Sequence, residues 1–162
     1  MLFTFKPMNE SDARAIVTWH YDPPYDFYDM DQDPDDLAEF LNPQSWQETN
    51  YSVSDEQGQL VGFFSFTLYD ATTLEIGLGL RPDLTGKGLG ISFLQVGLAF
   101  GRSKFTPACF VLRVATFNTR AIRTYERAGF KPLQTYMQHT NGGEYEFLRM
   151  IRQEKPNSTE PH

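Results

Sequence analysis

The chain has 162 residues, a formal net charge of −7, 40% hydrophobic residues and 15% aromatic residues. That length suits one domain with a single sizeable core, and that composition excludes a disordered chain. The acidic balance argues against nucleic acid as a partner. No apolar run approaches the roughly 20 residues a membrane-spanning helix needs. The opening MLFTFKPMNESDARA also lacks the layout of a signal peptide, so the expectation is a soluble, cytoplasmic protein with no membrane partner.

LFTFKPM reads as a first strand, and NESDARAIVTWH as a helix with Asn9 or Ser11 as cap. In YDPPYDFYDMDQD the prolines and aspartates rule out a long regular element. PDDLAEFLN is a short helix opened by Pro34, with acids in its first turn where the helix dipole favours them. The period then changes to two. NYSVSDEQGQLVGFFSFTLYD is two strands about a turn at Asp55–Gly58, and TTLEIGLGL is a third. GKGLGISFLQVGLAFGRSK is a helix whose inner face is read as Leu89, Phe93, Val96 and Phe100. PACFVLRVA is a buried strand, and NTRAIRTYERAGF a helix with Asn118 as cap and Gly129 as stop. FKPLQTYMQHT and EYEFLRMIR are two strands across the turn Asn141–Gly143.

The order β, α, α, β, β, β, α, β, α, β, β predicts an α/β chain of the α+β kind. Its sheet is mixed and mostly antiparallel, with about seven strands flanked by about four helices. One domain is expected over residues 1–153, followed by a polar tail at 154–162 expected to be disordered. The lone Cys109 excludes an internal disulfide framework and reads as an inert buried thiol. His20, His139 and His162 show no ligand spacing, so no metal is expected.

Charge is unevenly placed. From Ala15 to Leu80 there is no Lys or Arg against thirteen Asp and Glu, whereas Arg81 to Lys155 holds twelve Lys and Arg against five acids. Such asymmetry suggests halves facing ligands of opposite sign. The stretch LGLRPDLTGKGLG, Leu78 to Gly90, carries four glycines across the boundary between the halves. It is not a P-loop, because Gly79 precedes Gly86 by seven positions and Lys87 is followed by Gly88. It is not a dinucleotide fingerprint either, since Ile91 stands where the third glycine belongs and the segment follows an antiparallel meander. The pattern [QR]-x-x-G-x-[GA] between strand and helix fits TGKGLG at Gly88 and Gly90 and departs at Thr85.

In this the chain resembles the GNAT superfamily of N-acetyltransferases. A second motif supports the resemblance: N-x-x-A-x-x-x-Y-x-x-x-G-F is filled by Asn118, Ala121, Tyr125, Gly129 and Phe130. The likeness extends from about Met1 to Arg152. It implies a GNAT-like fold with acetyl-CoA as cosubstrate and no metal. A loop entering a helix offers unpaired N–H groups and partial positive charge, and glycines let an anion approach them. By resemblance, Thr85, Gly86, Lys87, Gly88, Leu89 and Gly90 hold the diphosphate of coenzyme A, with Lys87 and Arg81 adding charge attraction. Leu78 and Leu80 hold the strand positions that face the pantetheine and acetyl carbonyl, and Asn118 contacts the pantetheine or orders the following helix.

Acetyl transfer to an amine requires a base, a polarised carbonyl and a proton for the departing thiolate. The resemblance assigns that proton to Tyr125. Glu75 shares a strand face with Gly77 and Gly79, and is the candidate base or amine-binding group. The acceptor is expected among the aromatics and seven aspartates of WHYDPPYDFYDMDQDPDD, with Trp19, Tyr25, Asp26 and Tyr28 as candidate contacts. Aromatic faces and carboxylates suit a cationic amine of a small molecule or a peptide N-terminus, attacked directly in a ternary complex. The alternative is a non-catalytic module of the same fold that binds and senses acyl-CoA. A homodimer is left open.

Overall fold

The computed structural model describes residues 1–46 and 48–154. A seven-stranded sheet runs in the order β1-β2-β3-β4-β5-β7-β6. Its strands are β1 (Thr4–Pro7), β2 (Asn50–Ser54), β3 (Leu60–Leu68), β4 (Thr73–Leu80), β5 (Cys109–Ala115), β6 (Lys131–Thr140) and β7 (Gly143–Gln153). Every neighbouring pair is antiparallel except β4 and β5. The four helices are α1 (Glu10–Ile16), α2 (Pro34–Leu41), α3 (Gly90–Phe105) and α4 (Thr119–Arg127). The expected mixed sheet of seven strands with four helices is therefore the observed fold. Residues 155–162, which hold most of the expected tail, lie outside the described residues. The carboxylate of Glu154 meets Arg102 and Arg152.

The alternation in β3 divides the interior. Phe64 and Phe66 point to one face and join Phe93, Leu94, Leu98, Phe110 and Met150 in the main core under α3. Phe63 points to the other face and joins Trp19 and Phe40 over a second cluster of Met8, Ala13, Ile16 and Trp46 beneath α1 and α2. A strand whose two faces are both covered reads as a near-continuous apolar run, as LVGFFSF does.

Asn9 caps α1, its side chain accepting the Asp12 N–H at 2.8 Å. That helix stops at Ile16 instead of reaching His20, and Thr18 turns back to bond the Ala15 carbonyl. Helix α3 is rotated from the expected face. Its buried residues are Phe93, Leu94, Gly97, Leu98 and Gly101, while Leu89, Val96 and Phe100 are half-buried. Glycine carries no weight in a hydrophobic pattern, yet here it sets the contact line. A Cβ at Gly97 would overlap the ring of Phe64, and one at Gly101 would press on Phe66 and Phe110. The helix lies close to the sheet because those side chains are missing.

Gly97→Ala is expected to destabilise the protein. Helix propensity returns about 1 kcal/mol, but overpacking against a fully buried Phe64 costs up to about 3 kcal/mol. The net loss of about 2 kcal/mol lowers Tm by about 4–8 °C in a thermal melt. An unchanged or raised Tm would contradict this packing.

Candidate active site

Strands β4 and β5 pair only at Thr73–Cys109, Leu74–Phe110 and Glu75–Val111. Beyond Glu75 they part, and β5 continues against β7 alone. The Arg81 N–H bonds the Val61 carbonyl, so in an antiparallel ladder Leu80 and Leu78 turn their N–H and C=O groups away from β3, into the gap. By the same logic the Thr116 N–H to Glu146 bond turns the Ala115 N–H away from β7.

Two tyrosines of the loop after α1 take up these freed groups. The Tyr21 hydroxyl donates to the Leu80 carbonyl at 2.8 Å. The Tyr28 hydroxyl accepts the Ala115 N–H at 3.2 Å and the Asn118 side-chain N–H at 3.3 Å. Burial pushes both phenols above their ordinary pKa. Leu78 lies three residues past the last β4–β5 pair, so its N–H and C=O face the gap outside both ladders.

Two cavities meet at this gap, sharing Tyr21, Tyr28, Leu78 and Gly79. One, of about 420 Å³, runs over Leu78 and Leu80 to Thr85, Gly86, Gly88 and Gly90, with Asn118 and Tyr125 on its α4 side. Gly86 and Gly88 have φ of 71° and 78°, which explains their identity. A Cβ at Gly88 would meet nothing, and one at Gly86 would meet only the Arg120 guanidinium at 3.6 Å. An open, glycine-lined loop at the start of α3 fits a diphosphate. Tyr125 lines the same cavity. Burial and then the nearby Tyr28 hold its phenol above the ordinary value, so it stays protonated. Its hydroxyl makes no hydrogen bond among the described residues.

The second cavity, of about 520 Å³, lies between the sheet and the α1–α2 layer and holds Trp19, Tyr28 and Glu75. Asp36 and Glu39 of α2 add two carboxylates, and among the described residues Arg113 of β5 is its one cationic side chain. Arg113 bonds Glu75 at 3.0 Å and Gln138 at 3.2 Å. Partial loss of water, then Asp33, Glu39 and Asp35, push the Asp36 carboxyl up, against a lowering by Arg113.

The candidates of the sequence analysis are thus distributed over two cavities and their surroundings. Leu78, Leu80, Thr85, Gly86, Gly88, Gly90, Asn118 and Tyr125 line the first. Lys87 is exposed, and Leu89 is the half-buried residue at the start of α3; neither lines the cavity. Arg81 is engaged by Asp83 and the Leu60 carbonyl. The cations at the first cavity are Arg120 and Arg127, which the sequence analysis did not single out. Tyr25, assigned to the acceptor, lines the first cavity instead, with the Arg120 guanidinium 3.9 Å from its ring centroid. Asp26 lines neither cavity. Asp36, Glu39 and Arg113 were missed, although Asp36 and Glu39 stand at helical spacing, three residues apart. His20, read as isolated, is brought by the fold within 4.8 Å of Asp29 and Asp31. Asp29 is buried there and spends its oxygens on His20 and the Tyr21 N–H.

A family model described as an acetyltransferase (GNAT) domain matches residues 3–131. The chain belongs to the GNAT acetyltransferase family, whose members use acetyl-CoA. A mycothiol acetyltransferase from Propionibacterium freudenreichii subsp. shermanii is 38% identical over 85 residues, which are 50% of this chain and 27% of that protein. The chain therefore spans only about a quarter of that relative. Among solved structures, the spermidine N-acetyltransferase of Vibrio cholerae in complex with CoA and spermine superposes with a TM-score of 0.74 at 20% identity, covering 93% of this chain and 95% of that one. A GNAT-family acetyltransferase from Bacillus anthracis gives 0.73 at 17% identity, covering 94% and 95%. These likenesses carry the fold. No helix among the described residues is long and apolar enough to cross a membrane.

The raised Asp36 carboxyl makes a stability prediction. The folded chain holds this proton more tightly than the unfolded one, so stability falls as pH rises through the folded value. Asp36→Asn is expected to raise Tm at neutral pH and to match the parent at about pH 3, below the carboxyl's ordinary range. A Tm that falls at neutral pH in this variant would contradict the electrostatic account.

Proposed function

We propose that the protein is an N-acetyltransferase that moves an acetyl group from acetyl-CoA to a primary amine of a cationic small molecule, by direct attack in a ternary complex. The observation that carries this reading is the meeting of two unlike cavities at Leu78 and Gly79. One offers glycine N–H groups and Arg120 for phosphate. The other offers three carboxylates against one guanidinium.

Bound acetyl-CoA supplies the activated acyl group, and the chain does the rest. The loop of Gly86 and Gly88 with Arg120 would hold the diphosphate, and the open Leu78 N–H would face the acyl group. Asp36 and Glu39 attract a cationic acceptor by long-range charge, while Trp19 and Phe40 supply faces for its methylenes or ammonium groups. Glu75 stands on the same strand two residues from Gly77, beside the gap, and would receive the amine proton directly or through water. Its bond to Arg113 fixes the carboxylate in place. Tyr125, protonated and without an internal acceptor, would give its proton to the departing thiolate. The solved neighbour whose complex contains CoA and spermine has a polycationic ligand, which accords with the acidic cavity.

Thiol release from acetyl-CoA across an amine panel tests this. Diamines and polyamines are expected to turn over, and a panel in which only neutral or acidic amines react would overturn the acceptor class. Tyr125→Phe is expected to lower kcat by about 100-fold with coenzyme A binding retained. Combined Asp36→Asn and Glu39→Gln should raise KM for a diamine about tenfold with little change in kcat. Tight coenzyme A binding without turnover of any amine would instead support an acyl-CoA sensor.

A further inference from the structure

We propose that Tyr28 is a catalytic residue: its hydroxyl proton, together with the Leu78 N–H, is the donor pair for the acyl carbonyl oxygen. The inference rests on the acetyltransferase reading above, and reassigns Tyr28 from acceptor contact to reacting centre.

A phenol oxygen accepts up to two hydrogen bonds and donates one. The Tyr28 oxygen accepts from the Ala115 N–H and from the Asn118 side chain. Neither partner can take a proton in return. The Asn118 amide is fixed in orientation because its oxygen caps α4, accepting the Ala121 N–H at 3.1 Å. Its nitrogen therefore faces Tyr28, and the tyrosine proton is left without an acceptor among the described residues.

The ring is held in place as well as the oxygen. Phe27 meets it edge-on at 5.2 Å and Phe117 lies 6.1 Å away. The hydroxyl thus anchors to the β5 side of the gap while its ring lines both cavities. Across the gap, Leu78 of β4 turns an unpaired N–H into the same space. Two preorganised donors from opposite sides of a strand split are the arrangement that stabilises charge gathering on a carbonyl oxygen. Tyr125 lines only the cofactor cavity, which suits a separate role at sulfur.

The electron count closes on this assignment. The amine lone pair forms the C–N bond, and the carbonyl π pair moves to the oxygen held by Tyr28 and Leu78. The pair returns as the C–S bond breaks, the thiolate takes the Tyr125 proton, the amine proton leaves through Glu75 or water, and solvent carries a proton back to Tyr125 before the next turnover. Tyr28 keeps its own proton throughout and acts by hydrogen bonding alone.

The test is isotope-edited infrared spectroscopy of acetyl-CoA labelled with carbon-13 at the carbonyl, bound to the protein without any amine. The thioester carbonyl stretch is expected at lower frequency in the parent than in Tyr28→Phe. With difluorotyrosine at position 28, a stronger donor of nearly the same size, it should fall lower still. In turnover, Tyr28→Phe is expected to lose on the order of 100-fold in kcat with KM for acetyl-CoA unchanged. Should Tyr28→Phe fail to fold, the difluorotyrosine shift decides alone. Carbonyl stretches that coincide in the parent and in every variant measured would overturn the proposal, even if kcat fell. Absence of turnover in the parent with the frequency shift intact would remove the acceptor reading and leave this one standing.

Discussion

The site exists because two adjacent parallel strands stop pairing. A β4–β5 ladder continued past Glu75 and Val111 would satisfy every backbone group and leave no room for a ligand. Parting after three residue pairs exposes backbone donors and acceptors in the middle of a sheet, where an unpaired group costs about 1–3 kcal/mol. The chain meets that cost with loop tyrosines. Tyr21 takes the Leu80 carbonyl on one lip of the split, and Tyr28 takes the Ala115 N–H on the other. What they leave open, at Leu78, is what a ligand can use. One divergence therefore decides where both cavities lie, why they meet, and which backbone groups face their junction.

The loop that supplies these tyrosines must itself be held, since a phenol on a mobile segment could neither cap a strand nor aim a proton. Its anchors come from the far edge of the sheet. The Asp33 carboxylate accepts the Asn141 N–H at 3.0 Å while also capping α2. The Asn141 side chain donates to the Phe27 carbonyl at 2.8 Å, from a residue whose φ of 51° sets the β6–β7 turn. Phe27 then packs edge-on against Phe117 and Tyr145. The β6–β7 turn at one edge of the sheet is thus tied, through this loop, to the strands at its centre. Those hydrogen bonds also favour the ionised Asp33, whose carboxyl is held below its ordinary value chiefly by the Asn141 N–H.

The order of elements was legible because the period shifts cleanly between two and 3.6, and because Asn9, Asn118 and Gly129 mark helix ends by local chemistry. The face of α3 was not, because the contact line runs through Gly97 and Gly101, which a pattern of apolar side chains cannot register. The glycine loop and Tyr125 were readable as motifs, being contiguous or at fixed helical spacing. The acidic wall of the second cavity was not, for a physical reason. Asp36 and Glu39 look like ordinary acids of a short helix, and Arg113 interrupts a buried apolar strand without any sign of which partner it will face. Their meeting depends on how α2 lies over the sheet, which no local spacing encodes. The position of Tyr25 was hidden for the same reason. Chain proximity groups it with Trp19 and Tyr28, while its ring lies against Arg120 beside the glycine-lined cavity.

The segregation of charge along the chain follows from this geometry. The acidic stretch from Ala15 to Leu80 supplies α2 and β4, which make one wall of the split. The basic stretch from Arg81 onward supplies the glycine loop, α4 and β5, which make the other. Two ligands of opposite sign can then lie within reach of one junction without either wall neutralising the other. Arg113 is the exception that sets the balance. It crosses from the basic strand to bond Glu75 and leaves Asp36 and Glu39 in excess. Those two carboxylates sit on a short helix capped by a third, Asp33, and partial loss of water together with their mutual repulsion pushes the Asp36 carboxyl above its ordinary range. A cation entering that cavity relieves strain that the folded chain already carries. The wall is thus less stable than a neutral one would be, and Arg113 offsets only part of that cost.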